Sequence, residues 1–160
     1  MKRYMTVKIV DVEEMTMQDY YKNRKHVGVR DLNTKEDIEE FCNQKVFKVV
    51  YSDGYDSVCP KDRFLEQAWE IDKENRIPQK LVDDFIIKSD VTTERIGGKL
   101  NTVLRYELAN GFSGIESTSC VDEKNYSEEI GKEILINRLK DKIWFGLGFV
   151  LGMAQGKGGK

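Results

Sequence analysis

An Asn110-Gly111 dipeptide stands between two arms rich in β-branched and apolar residues, 100–109 and 112–120, and constrains the chain more than any other feature. In a two-residue type I′ turn both central residues need positive φ, which Asn and Gly tolerate best, so the dipeptide predicts a tight antiparallel hairpin. A register follows. Leu108 faces Ser113, Tyr106 faces Ile115 and Leu104 faces Ser117 on the core side. On the other side Arg105 falls opposite Glu116 and Val103 opposite Thr118, with Phe112 standing beside the turn. Asp53-Gly54 between the β-rich runs 46–51 and 55–59 predicts a second hairpin.

The remaining pattern supplies partners for these hairpins. Alternation of Met5, Val7 and Ile9 predicts an opening strand over 2–10. Short polar helices are expected over 15–24 and 33–43, the second starting at Asn33-Thr34. Pro60 suits the first turn of a helix over 61–71. The aperiodic stretch 72–78 marks a boundary, followed by a short helix over 79–88 and a strand over 91–96 leading into Gly97-Gly98. A long helix is predicted from about Ser127 to Trp144, with Asn125 three residues before Glu128 as a capping-box variant. The fold class expected is α+β: a small antiparallel sheet of hairpins packed with a long carboxyl-terminal helix, preceded by a small α+β module. The parts are a hairpin-helix module over 1–75, a ligand-binding domain over 78–155 and a flexible tail over 156–160.

With 26 basic against 28 acidic side chains the formal net charge is −2. No global positive field then draws the chain to nucleic acid polymers or anionic lipid, and any anion site must be local. The opening residues lead into alternating charge and not an apolar run, which predicts a chain without a signal peptide that stays in the cytoplasm. The apolar stretch 143–154 is interrupted by Gly146, Gly148 and Gly152 and is well short of the ~20 residues a bilayer needs, so no membrane partner is expected. Cys42, Cys59 and Cys120 are too few and too scattered for a disulfide framework or a metal knuckle. His26, the single histidine, lies in a basic loop, and no phosphate loop, zinc set or nucleophile elbow is readable. The expectation is a protein that is not an enzyme and needs neither cofactor nor metal.

On the last helix, at 100° per residue, Gly131, Leu135, Arg138 and Lys142 share a stripe about 60° wide. Two cations one turn apart above a glycine suit a phosphate brought close to the backbone, with Arg138 bidentate. Solvated cations near a helix end, where the dipole favours them, suit the same pattern. Phe112 and Arg105 likewise read either as a platform for stacking a base or as an exposed ring beside a cross-strand ion pair. Apolar residues are spread nearly all round the helix, Ile130, Ile134, Leu135, Ile136, Leu139, Ile143 and Trp144 among them. That is more than one packed face buries, so burial against a second subunit in a homo-oligomer is expected.

The run Leu108-Ala109-Asn110-Gly111-Phe112, then Glu116-Ser117, Ser119-Cys120-Val121-Asp122, Asn125-Tyr126, 128–134 and 138–144, resembles a small phage and prophage protein family over about 90–151. It is similar to the family that includes the first class of Thoeris anti-defence proteins, which sequester a glycocyclic ADP-ribose type of immune signal without degrading it. The resemblance implies oligomers with pockets at a dimer interface, some with a separate site for cyclic oligonucleotides, acting in the host cytoplasm. It also implies an aromatic residue in the hairpin and a basic pair on the last helix, which Phe112, Arg138 and Lys142 match. With Arg105, Asp122, Asn125 and Gly131 they form the candidate ligand-binding set. Two departures stand out: Glu123 where a proline is common, and a glycine-rich continuation around Gly148 where the family's ending is polar. The run Phe47-Lys48-Val49-Val50-Tyr51, Asp53-Gly54-Tyr55, Ser57, Pro60-Lys61 and Phe64 resembles a short module that precedes phage counter-defence domains.

The leading function is therefore sequestration of a cyclic nucleotide. A protein-interaction adaptor binding a polypeptide through the hairpin edges is the alternative. A nucleic-acid accessory role fits poorly with a pI near 5.6.

Overall fold

The computed structural model describes residues 2–3, 5–22 and 34–156. His26, expected in a basic loop, and the tail after Gly156 lie outside the described residues. The chain divides into two compact units, 1–69 and 70–160, and each carries its own three-stranded antiparallel sheet. This is the α+β class expected.

In the first unit β1 (Asp11–Thr16), β2 (Lys45–Val50) and β3 (Asp56–Pro60) pair in that order. The opening strand lies at Asp11–Thr16 and not over 2–10, because β2 is six residues long and β1 covers its whole length from Thr16↔Lys45 to Asp11↔Val50. β2 ends at Val50, opposite Asp11, so in this register the alternating residues before Asp11 have no β2 residue to pair with. Charge helps hold this acidic strand: Glu14 accepts from Lys61 at 2.6 Å and Glu13 faces Lys48 in register. Helix α1 (Met17–Lys22) buries Met17 and Tyr20, and α2 (Lys35–Asn43) starts at Thr34, whose hydroxyl accepts from the Asp37 N–H at 3.0 Å. Helix α3 (Lys61–Leu65) stops short of the expected Ile71. Ile71 is claimed by the second unit, where it packs with buried Ile77 against that unit's core, while residues 72–76 between them are exposed.

The second unit runs α4 (Gln79–Asp84), β4 (Ile86–Ile96), β5 (Lys99–Leu108), β6 (Ser113–Ser119) and α5 (Glu128–Ala154). Helix α4 ends four residues earlier than expected, since Ile86 and its neighbours extend instead to pair with β5 from Ile86↔Leu108 onward. β-branched residues fit that pleated surface better than a helix. The core is closed by Val82, Phe85, Leu104, Leu135, Leu139 and Ile143. Each fully buried leucine here contributes roughly 1.5–3 kcal/mol.

The hairpin turn is not the two-residue type. The Gly111 N–H donates to Leu108 O and the Leu108 N–H to Phe112 O, leaving Ala109, Asn110 and Gly111 as the loop. Gly111 takes φ of 82°, while no described residue other than glycine has positive φ. Asn110 therefore stays right-handed and its side chain accepts from the Phe112 N–H at 3.0 Å. This is the three-residue turn with a left-handed glycine, and Ser52-Asp53-Gly54 repeats it between Tyr51 and Tyr55. The register slips by one residue from that expected: Leu104 faces Glu116, Arg105 faces Ile115 and Tyr106 faces Gly114. Arg105 and Glu116 are thus on opposite faces of the sheet, and the expected ion pair between them does not form.

Helix α5 is capped by Ser127, whose hydroxyl accepts from the Ile130 N–H, and not by Asn125. It continues to Ala154, well past Trp144. Glycines at 146, 148 and 152 each cost ~1 kcal/mol against alanine, but Leu147 and Leu151 on the same turns pack onto the core and offset that. Gly131 lies where the helix crosses β5. A Cβ there would fall inside the Thr102 side chain. Replacing Gly131 by alanine should therefore cost about 1–3 kcal/mol through overpacking, read as a lowered urea midpoint with an unchanged m-value.

Candidate functional site

Even-numbered residues of β5 and β6 face α5, and odd-numbered ones face away, so the corrected register decides which charged groups meet the helix. Glu116, opposite Leu104, lies beneath α5 and accepts from the Lys142 ammonium. That hydrogen bond raises the Lys142 pKa above the usual lysine value, against smaller lowering effects that include the Arg138 charge. Arg105 points to the opposite face, where it donates to Thr92 at 2.9 Å and ion-pairs with Glu94. The Glu94 carboxyl is lowered by that hydrogen bond first, then by one from Thr92.

The second unit has four arginines, at 76, 95, 105 and 138. Arg76 pairs with Asp72, Arg95 with Glu123 at 2.6 Å and Arg105 with Glu94. Arg138 is exposed and has no hydrogen bond or ion pair with a described residue. It sits one helical turn from Lys142, whose charge is already held by Glu116. Phe112, just past the turn, is 71% exposed. Its carbonyl accepts from the Leu108 N–H and its N–H donates to the Asn110 side chain, while its ring contacts no described aromatic partner.

The other expected residues have structural partners. Gly131 is buried against Thr102, so the space above it is taken by the sheet. The Asp122 side chain accepts from the Lys124 N–H and caps the short 3₁₀ turn Glu123–Asn125. Asn125 lines a shallow cleft of about 80 Å³ together with Gly131, Thr118, Ser119, Cys120 and Ser127. Asn125 and Gly131 are thereby brought together, Arg138 and Lys142 are helix neighbours, and Arg105 stands apart on the far face.

The cleft was not read from the sequence. Two of its lining residues, Tyr126 and Thr102, share a hydroxyl network in which the Tyr126 hydroxyl reaches Thr102 at 3.0 Å and Thr93 at 2.7 Å. The signal available was the run Ser117-Thr118-Ser119-Cys120 converging on Tyr126-Ser127, polar residues at the helix-facing end of a strand. Among the described residues no group of three or more His, Cys, Asp or Glu side chains is placed to hold a metal ion. No described helix is long and apolar enough to cross a membrane.

Glu123, which departs from the resembled pattern, has a defined role: the Arg95 guanidinium holds its carboxyl below the usual range and ties the 3₁₀ turn to β4. Folded-state pKa values of Glu123 and Glu94 lie below their unfolded values. Their contribution to stability is present above the unfolded carboxylate range and is lost as pH falls through it toward the folded values. The melting temperature should thus decline below about pH 4.5, and Glu123→Gln should flatten part of that decline at low salt, with less effect in high salt.

No curated protein and no solved structure matches the chain. The sequence model of the Phage protein (N4 Gp49/phage Sf6 gene 66) family matches residues 34–154, which takes in α2 to the end of α5 and so parts of both units.

Proposed function

The chain belongs to this phage protein family, and from that premise we propose that it sequesters a cyclic nucleotide immune signal in the host cytoplasm, binding it without turnover. The observation that supports this reading is Arg138: the arginine of the second unit that has no carboxylate partner among the described residues, beside a lysine held in place by Glu116. A guanidinium with all its donors available suits bidentate capture of a phosphate. Lys142 adds a second positive charge one turn further along, held in place by Glu116. Phe112 offers a ring face for a base, since its backbone is ordered by the turn and its side chain is open to solvent. Neither the cleft nor the cation pair sets a nucleophile beside a base, so binding is expected to be stoichiometric and the ligand to be released intact.

The free side of β6 supports a second reading. Among the described residues that strand pairs with β5 alone, and it carries one charged residue in seven and no proline, so it offers an edge for strand addition by a partner polypeptide.

Calorimetry with glycocyclic ADP-ribose and with cyclic oligonucleotides separates the two. Arg138→Ala should weaken binding by ~2–5 kcal/mol, as loss of a charged partner does across interfaces. Phe112→Ala should remove ~1–3 kcal/mol of stacking. Neither variant should move the melting temperature appreciably, because both side chains are exposed and unpaired. Heating the complex should return intact ligand. Full binding by both variants would transfer the argument to the β6 edge, and a linear product accumulating beyond one equivalent would sink the sponge reading.

A further inference from the structure

Among the described residues the Arg138 and Lys142 pair has one carboxylate partner, Glu116, which is also the single charged residue of β6. The Glu116 side chain is 19% exposed beneath α5 and that of Lys142 is 59% exposed, so the carboxylate stands behind the ammonium as seen from solvent. Arg138 is exposed on the same helix, one turn before Lys142. A phosphate arriving from outside therefore meets the two cations ahead of the acid. Two cations against one carboxylate leave a local charge of +1. Because Glu116 is partly buried, salt screens its field less than it would screen that of a surface acid.

We propose that Glu116 is a specificity-determining residue of this pair: it lowers affinity for nucleotides with a linear polyphosphate chain more than for those whose phosphates are closed in ring or diester linkages. The proposal rests on reading the pair as a phosphate site and adds which phosphates that site takes. A phosphate with a free end carries about −1.5 to −2 at neutral pH, whereas one linked on both sides carries about −1. A linear triphosphate thus brings about twice the charge of a cyclic ligand with two linked phosphates. Coulomb energy is proportional to ligand charge at a given separation, so one carboxylate costs the linear chain about twice the free energy that it costs the ring. Without Glu116 the two cations would favour the longer chain in the same proportion, and linear nucleoside triphosphates would compete for the site. With it the field is halved, and the bidentate fit of the Arg138 guanidinium weighs more in the choice of ligand. A carboxylate that served only to tether Lys142 would act with the opposite sign, since releasing the lysine would weaken every phosphate ligand.

Calorimetry of the full chain with inorganic tripolyphosphate and with glycocyclic ADP-ribose tests this. Glu116→Gln keeps the size of the side chain and an oxygen that can accept from Lys142. It should bind tripolyphosphate about tenfold tighter than the parent and glycocyclic ADP-ribose about threefold tighter, the gain shrinking as salt rises. Glu116→Thr, neutral and of high strand propensity, should show the same order of gains. Glu107→Gln removes an equal charge from the outer face of the sheet, where Glu107 pairs with Lys88, and should leave both affinities as they were. Glu116→Gln/Lys142→Gln returns the local charge to +1 and should bind tripolyphosphate as the parent does. Weaker or unchanged tripolyphosphate binding by both Glu116 variants, an equal gain from Glu107→Gln, or a gain that survives in the double variant would each overturn the inference. A parent that binds no cyclic nucleotide, while Glu116→Gln still gains tripolyphosphate and the double variant loses it, would end the sequestration reading and leave the role of Glu116 standing.

Discussion

The left-handed backbone at Gly111 decides the chemistry of the second unit. With glycine in that one position the loop takes three residues, Leu108 closes onto Phe112, and every pair along β5 and β6 is set one residue away from the two-residue alternative. Side chains alternate across a sheet, so a shift of one residue exchanges the faces of an entire strand. Glu116 comes to lie under α5 and holds Lys142; Arg105 is sent to the far face and finds Glu94. Arg138, one turn from Lys142, is then left with no carboxylate among the described residues. The free cation on which the proposed function rests is a consequence of turn geometry.

The same register puts Thr102 and Leu104 beneath the helix, and there a second glycine becomes necessary. At Gly131 the helix approaches β5 so closely that the Thr102 side chain occupies the place of a Cβ. Close approach lets Leu135 and Leu139, one and two turns further along, reach full burial beside Leu104. Tyr126 meets Thr102 at the same crossing, so hydroxyl bonding and apolar packing fix one point from two directions. A glycine in a helix with cations above it has the look of a phosphate seat in the sequence. Its structural role is instead to let the sheet in.

Element type was legible where periodicity and turn residues agreed, as in both hairpins and α5. Boundaries were less so, for identifiable reasons. The alternating residues before Asp11 resemble a strand as well as Asp11–Thr16 does, and only the length of β2 decides between them. The extent of α5 depends on whether Leu147 and Leu151 find a core, which the glycines around them conceal. The turn type depended on the φ of Asn110, and Asn adopts either sign readily. Of the candidate residues, Phe112, Arg138 and Lys142 were legible as exposed ring and helix cations. Asp122 and Gly131 were legible only as polar and small, and the caps and contacts that occupy them rest on tertiary partners distant in sequence.

Helix α5 also has two halves under different demands. From Ser127 to Ile143 its buried stripe of Gly131, Leu135, Leu139 and Ile143 advances by four residues at each step. Steps of four rotate by about 40° beyond a full turn, so the stripe winds slowly around the helix. A flat sheet could not follow it for long. By Leu147 and Leu151 the covered side has moved round to the core formed with Ile71 and Trp144. The side that faced the sheet earlier is carried outward, and at that point the sequence supplies Phe145, Phe149 and Met153. On the first turns the exposed side is polar, with Glu128, Glu129, Lys132 and Glu133. Large apolar side chains flanked by glycines are retained at the end where the winding exposes them. That placement leaves an uncharged apolar face at the end of the helix.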